Sequence, residues 1–315
     1  MTSPINNIAR SAISDKSLNV LCFLYSDWFN TELCNALPDH QFYAPINDAN
    51  KPATWNFNLY KQPSNLTFIP NFQTSNVQCK VDFDIIICND RSSQYQISKQ
   101  LSDALHINIV IIEHLADLEY IDITSMIPSL KQTKHDTNVF LEDGISDKLS
   151  ITGDTIRYSI PNIFQKDKEK QIFLPCQHKH LVEVLQKESN IPIKCEEYSD
   201  IEEYYKALQN STFYFNAEAE TAIIQYEVLL AMSAGCVVLT VNSPIIAKII
   251  TNMENGIIVN NTEELKQIIN QLSNADIKKI SLNANKTIKD KFNPNEFKTK
   301  WENTLSKTTK KVYTR

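Results

Sequence analysis

The sequence predicts an α/β protein made of two doubly wound, Rossmann-like units with parallel sheets. Three observations carry that expectation. Short apolar runs such as "LNVLCFLY" (18–25), "FDIIICND" (83–90) and "INIVIIEH" (107–114) have the unbroken character of strands covered on both faces. These runs alternate with amphipathic helical stretches, the order that produces parallel sheets. At 315 residues and 42% hydrophobic composition, the chain can build two such units with a core each.

In order along the chain, "LNVLCFLY" leads into a helical stretch carrying Phe29, Leu33 and Leu37 on one face. "HQFYAP", "NLTFIPN" and "DFDIIICND" read as strands. A helix opening at Ser92, with Ile97, Leu101, Ala104 and Leu105 at one-face spacing, precedes the strand "INIVIIEH". Between 117 and 165, "NVFLEDGISDKLSI" and "DTIRYSIPNI" suggest two further strands with a short helix. The polar run "QKDKEK" (165–170) reads as a linker.

A second series follows, with "QIFLPC" as strand and "HKHLVEVLQKESN" as helix. "IPIKCEE" is the next strand, and the helix after it carries Ile201, Tyr204 and Leu208 on one face. "TFYFNAE" is another strand. A buried helix then runs from about Gln225 to Gly235, where glycine suits a left-handed helix end, and "CVVLTV" follows as a strand. The helix opened by Thr262 has Leu265, Ile268, Ile269 and Leu272 on one face, and Glu263 and Glu264 in its electropositive first turn. The expected division is a flexible leader (1–17), a first domain (18–164), a second domain (165–292) and a C-terminal helix with a basic tail (293–315).

Composition removes several classes of function. No apolar run approaches the roughly 18–20 residues of a membrane helix, and the polar start "MTSPINNIARSAISDKS" has no signal-peptide core. Seven scattered cysteines without a C-x-x-C pair argue against a disulfide framework and a zinc site, and read as reduced thiols in a cytoplasm. His178 and His180 have no acidic cluster near them in sequence, so no metal is expected. Four glycines, at 144, 153, 235 and 256, cannot supply a G-x-G-x-x-G fingerprint or a P-loop, and no G-x-S-x-G elbow is present. A net charge of −6 disfavours a polyanionic partner, although basic residues gather in the C-terminal "KTKWENTLSKTTKKVYTR".

Ligands of open parallel sheets bind outside the carboxyl ends of the strands, so residues just after the strands are the candidates. In "FYFNAEAETAIIQYEVLLAMSAGCVVLT", Glu227 places a carboxylate in the first turn of a helix that is otherwise apolar. Two readings are open. The carboxylate complements the helix dipole, or it accepts hydrogen bonds from vicinal sugar hydroxyls while the helix start and loop amides face phosphates.

The segment "EVLLAMSAGCVVLTVNSPIIAKIITNMENGIIV" resembles the donor-site segment of the retaining, GT-B-fold, nucleotide-sugar glycosyltransferases of the family-4 type. That segment reads roughly E-A-M-A-x-G-x-P-V-V, a spacer, then E-N-G-x-x-V. "YSIPNI" (158–163) is similar to the segment that opens the family's second domain. "FNPNEFKTKWENTL" resembles its final helix, which crosses back to the first. "QYQISKQLSDALHINIVIIEH" is similar to a phage-type branch.

The resemblance implies a GT-B architecture with a cleft between two Rossmann-like domains. The second domain would hold a UDP- or GDP-sugar co-substrate, with no cofactor required and retention of configuration as the expected outcome. By position, Glu227 corresponds to the second glutamate of the E-x7-E motif, against the ribose. The first falls at Ala219, flanked by Glu218 and Glu220, and the family's phosphate-loop glycines fall at Glu220 and Ala222. Amides at Thr221 and Ala222, with Asn216 and Glu220, complete the expected donor set. Lys179, in "QHKH", is the candidate diphosphate cation. His114 matches a histidine that faces the donor sugar. Asp27, Trp28, Asn89, Asp90 and Glu113, all after first-domain strands, are the acceptor-side candidates.

The implied activity is sugar transfer to an acceptor left open among a glycan, a modified base in DNA and a protein side chain. The alternative is a non-catalytic nucleotide-sugar or glycan-binding protein with a degenerate fold, supported by the missing glycines. Oligomeric state does not follow from the sequence.

Overall fold

The computed structural model describes residues 17–46, 55–57, 59–70, 81–89, 93–113, 136–144, 146–147, 150–189, 191–217, 225–243 and 246–311. The chain is α/β and forms two compact units, Met1–Tyr158 joined by Pro294–Arg315, and Ser159–Asn293. The strands are β1 (Asn19–Cys22), β2 (Gln41–Ile46), β3 (Leu66–Pro70), β4 (Ile85–Cys88), β5 (Asn108–Glu113), β6 (Thr137–Phe140), β7 (Gly153–Thr155), β8 (Glu169–Phe173), β9 (Ile193–Lys194), β10 (Ser211–Asn216), β11 (Val237–Val241) and β12 (Ile257–Val259). The helices are α1 (Asp27–Ala36), α2 (Ser93–Leu105), α3 (Val182–Ser189), α4 (Ile201–Asn210), α5 (Tyr226–Ala234), α6 (Thr262–Gln271), α7 (Asn274–Lys291) and α8 (Pro294–Thr309).

The first unit holds a seven-stranded sheet in the order β3-β2-β1-β4-β5-β6-β7, and every pairing is parallel. All residues of β4, β5 and β6 are buried, as strands covered by helices on both faces require. Their core joins Leu21, Ile86, Ile109 and Ile111 to Leu101 of α2. Helix α8 belongs to this unit although it comes last in the chain. Trp301 and Leu305 are fully buried, Asn108 donates to the Thr308 carbonyl at 2.8 Å, and Thr304 donates to Asp154 at 2.9 Å.

The second unit holds five parallel strands in the order β12-β11-β10-β8-β9. Ile172, Phe213, Phe215, Val237, Leu239, Leu265 and Ile269 form its core. Residues 161–165, in and beside the "IPN" segment, are stitched to the end of α5. Ser233 Oγ donates to the Pro161 carbonyl, Gln165 N donates to the Ala234 carbonyl at 3.1 Å, and Asn285 of α7 donates to Asn162 at 3.2 Å and to the Ser233 carbonyl at 2.7 Å. The bonds to the Ala234 and Ser233 carbonyls satisfy acceptors that a helix C-terminus leaves without intrahelical partners. Gly235 ends α5 in the left-handed conformation (φ 84), with its own N–H and that of Cys236 donating to the Met232 and Ala231 carbonyls at 3.0 and 2.9 Å.

Two differences from expectation have local causes. The helix expected from residue 178 begins instead as a 3₁₀ turn over Cys176–Leu181, with a kink at His178, before α3. Pro175 opens the turn, and His178 N donates to the Pro175 carbonyl at 2.9 Å, the tighter bonding common at helix ends. Helix α7 was not anticipated, although its start carries a capping box: Ser273 Oγ accepts from Asp276 N while the Asp276 carboxylate accepts from Ser273 N.

The "ENGIIV" motif has a structural explanation. Asn255 is buried, accepts from Thr251 N at 2.7 Å, and donates to the Ile249 carbonyl at 2.9 Å and to Thr287 Oγ1 at 3.0 Å. It thereby ties the turn before β12 to α7.

Candidate functional site

The strand order of the second sheet reverses between β8 and β10, because β9 lies outside β8 and the chain then crosses to the other side. The crevice at the carboxyl end of such a reversal is where open parallel sheets bind ligands. β8 leads there into the turn carrying Lys179, which is exposed. β10 leads through Asn216 and Ala217 towards α5, whose first turn carries Glu227, half-buried.

Glu227 is the single charged side chain of α5, and every other residue of that helix is buried. The start of α5 also differs from those of its neighbours. α1, α4, α6 and α7 are capped by the side chains of Ser26, Asp200, Asn261 and Ser273, whereas Gln225 makes no capping hydrogen bond. Helix-start amides and the positive end of the dipole at a sheet's carboxyl edge favour a ligand anion.

Asn216 is buried at the end of β10, opposite Thr240 of β11, and donates to Thr240 Oγ1 at 3.2 Å. Its amide therefore crosslinks two strand ends within the sheet. Glu220, Thr221 and Ala222, together with His114 and Asp90, lie outside the described residues.

In the first unit the reversal falls between β1 and β4. Asp27 and Trp28 start α1 just after β1, Asn89 follows β4, and Glu113 ends β5, so the described acceptor-side candidates share this carboxyl edge. Their environments differ. Asp27 accepts from Asn56 N at 2.7 Å; burial raises its pKa above the usual aspartate value, and that hydrogen bond opposes the rise. Trp28 packs edge-on to Tyr158 at 4.9 Å. Glu113 is buried. The Asn89 side-chain amide donates to the Phe23 carbonyl, and its backbone N–H donates to Gln94 Oε1 at 3.1 Å. With Gln94 Nε2 donating to the Leu24 carbonyl at 3.4 Å, the two residues bridge the ends of β1 and β4.

One constellation was missed. Cys176, after β8, and Cys195, after the adjacent β9, are electrostatic neighbours: burial first, and then Cys195, push Cys176 up to about 11. Glu197 adds to the rise and Lys179 opposes it, which places Lys179 electrostatically beside this pair. The signal was present in "QIFLPC" and "IPIKCEE", where each cysteine closes a strand, but it requires knowing that the two strands are neighbours.

Among the described residues, no group of three or more His, Cys, Asp or Glu side chains could hold a metal ion, and no helix is long and apolar enough to cross a membrane.

Solved structures match nearly the whole chain. A glycosyltransferase from Rickettsia africae ESF-5 aligns with a TM-score of 0.66 at 14% identity, covering 93% of this chain and 99% of that one. HepE from Anabaena, in complex with UDP-glucose, aligns with a TM-score of 0.66 at 9% identity, covering 92% and 100%. The fold is GT-B. Sucrose-phosphate synthase from Thermosynechococcus elongatus shares this GT-B fold with a TM-score of 0.60 at 12% identity, covering 92% and 97%. No protein-family model and no curated protein matches the sequence. At these identities the likeness defines the GT-B fold, and chemistry has to be argued from the site.

Proposed function

We propose that the protein is a glycosyltransferase that moves a sugar from a nucleotide-sugar donor, UDP- or GDP-linked, to an acceptor hydroxyl or base, with retention of anomeric configuration. The observation that carries this reading is Glu227, the lone charge of an otherwise apolar helix that starts beside the β8/β10 reversal without a side-chain cap. Its support from outside the chain is the GT-B fold of HepE, solved with UDP-glucose, and of the other transferases.

In this reading the second unit holds the donor. The Glu227 carboxylate accepts from the ribose hydroxyls, and amides of the loop at Thr221 and Ala222, with Lys179, face the diphosphate. The bond from the anomeric carbon to the diphosphate oxygen breaks, the nucleoside diphosphate leaves with the electron pair, and the acceptor oxygen forms the new glycosidic bond as its proton passes to the departing diphosphate oxygen. Stabilising the leaving diphosphate by amides and one lysine needs no metal. His114 faces the donor sugar, and Asp27, Trp28, Asn89, Asp90 and Glu113 serve the acceptor side. A glycan acceptor fits the net charge of −6 better than DNA.

Calorimetric titration with UDP, GDP and a panel of their sugars, followed by assays of slow donor hydrolysis, tests the proposal. Binding of one nucleotide class, weakened about 10- to 100-fold by Glu227→Ala, is expected for the loss of a charge-assisted hydrogen bond of about 1.5–3 kcal/mol. Nucleotide binding without turnover would favour the alternative, a binding protein that has lost transfer chemistry with its loop glycines. Failure to bind any nucleotide overturns the transferase and the nucleotide-sugar-binding form of the alternative, and leaves only a glycan-binding protein.

A further inference from the structure

A cavity of about 510 Å³ lies at the amino edge of the second sheet, opposite the edge where α5 begins. It is lined by the start of β8, by Thr212 of β10, by Gly235 at the end of α5 and by the first half of α7. Helix α5 therefore separates it from Glu227 by its own length, about 13 Å for nine residues. Nothing in the reading of the donor site uses it.

The lining combines two unlike surfaces. Phe164, Ile277 and Leu282 form an apolar part, and Leu282 is 49% exposed, one of few large hydrophobic side chains so open among the described residues. Lys166, Lys170 and Lys278 form a cationic part. Among the described residues none of these three lysines makes an ion pair or a side-chain hydrogen bond. The fourth lysine, Lys168, differs: its ammonium donates to the Leu208 and Gln209 carbonyls at 3.1 and 2.7 Å and so closes the end of α4. Four lysines against the one acid of the lining, Asp167, leave a surplus of three positive charges, in a chain whose net charge is −6.

Folding accounts for part of this lining, since Ile277 packs against the core of the second unit and the Phe164 ring lies over Gly235. It leaves Leu282 open to water and the three ammonium groups without an ion pair among the described residues. Both are relieved by one kind of occupant. We propose that this cavity binds a small organic anion with an apolar body, such as an aryl or acyl phosphate or sulfate, its apolar part against Phe164, Ile277 and Leu282 and its anionic group among Lys166, Lys170 and Lys278. The volume lies in the range of small-molecule sites, about 300–1,000 Å³. Lysines, as compact point charges without the bidentate fork of arginine, select for charge more than for one anion's shape. The three ammonium groups are exposed, so their attraction for an anion weakens as salt is added.

The probe is 1-anilinonaphthalene-8-sulfonate, an aromatic anion that fluoresces when it leaves water, titrated against the full chain. Saturable enhancement at one site per chain is expected, weakened at least tenfold by 0.5 M salt, by the triple change Lys166→Gln, Lys170→Gln, Lys278→Gln, and separately by Leu282→Glu. All four positions lie on the surface, and circular dichroism checks that each variant is folded. Naphthyl phosphate should displace the probe at concentrations where inorganic phosphate does not. Saturating UDP and Glu227→Ala should leave the signal unchanged, which separates this site from the donor site whatever becomes of the donor reading. No saturable signal, a signal that survives the triple lysine change, displacement by UDP, or displacement by phosphatidylglycerol vesicles but not by soluble aryl phosphate would each overturn the proposal.

Discussion

The ring of Phe164 lies so close over Gly235 that a Cβ on residue 235 would stand 2.6 Å from the ring's Cε2. Gly235 also has φ 84, and the same Cβ would meet Ser281 Oγ at 3.0 Å. Gly235→Ala thus combines a left-handed backbone with a clash on two sides, and a loss of about 1–3 kcal/mol is expected. Thermal unfolding followed by calorimetry measures it; an unchanged transition of the second unit would refute the account of how α5 ends.

Asn255 makes three hydrogen bonds from a buried site, linking the turn before β12 to α7. Asn255→Ala leaves the Thr251 N–H and the Ile249 carbonyl without this partner, and about 2–3 kcal/mol of stability should be lost. Urea denaturation is the measurement, and a loss below about 0.5 kcal/mol would mean that surrounding groups or water replace the amide.

His40 Nδ1 accepts from Leu18 N at 3.4 Å, a role open to the neutral ring. Burial lowers its pKa below the usual histidine value, with Asp39, Glu302 and Asp84 acting in the opposite direction. Between the lowered folded value and the ordinary unfolded one, the unfolded chain binds more protons, so this group's stabilisation is full above that window and is lost as pH falls through it. Melting temperatures at pH 7.5 and 5.0 should fall further apart in the wild type than in His40→Gln. Equal differences in the two proteins would remove His40 from the account.

Cys176, pushed up to about 11 first by burial and then by Cys195, is a protonated thiol at neutral pH. Its alkylation by iodoacetamide at pH 8 should be slower than that of an ordinary thiol by roughly a hundredfold, because the thiolate reacts. The rate should rise about tenfold per pH unit up to pH 10. Peptide mapping by mass spectrometry reads the rate at this position, and alkylation at the rate of a free peptide cysteine would contradict the burial argument.

Much of the architecture was legible along the chain, and the residues say why. Ile85–Cys88 and Asn108–Glu113 are buried at every position, so their lack of alternation carried the parallel sheet. Gly235 and the apolar body of α5 were legible because a helix end that needs positive φ leaves a glycine in the sequence. Helix α7 was not, since its apolar positions Ile277, Ile280, Ala284 and Ile288 are interleaved with asparagine, serine and lysine. The site divides in the same way. The placement of Glu227 at a helix start followed from local pattern, while Asn216 and Asn89 turned out to be engaged across strands, to Thr240 and to Phe23.

Local sequence determined where strands and helices lie, that the strands are covered on both faces, and that α5 carries one charge at its start, because burial pattern, capping and backbone preference act over a few neighbouring residues. Strand order is a long-range property, and only the tertiary structure decided it. That order makes Cys176 and Cys195 neighbours across 19 positions, sets the reversals at β1/β4 and β8/β10, and gathers Lys166, Lys170 and Lys278 around one cavity. Such contacts depend on how the helices and strands pack together, and the short-range periodicity of a chain does not contain that information.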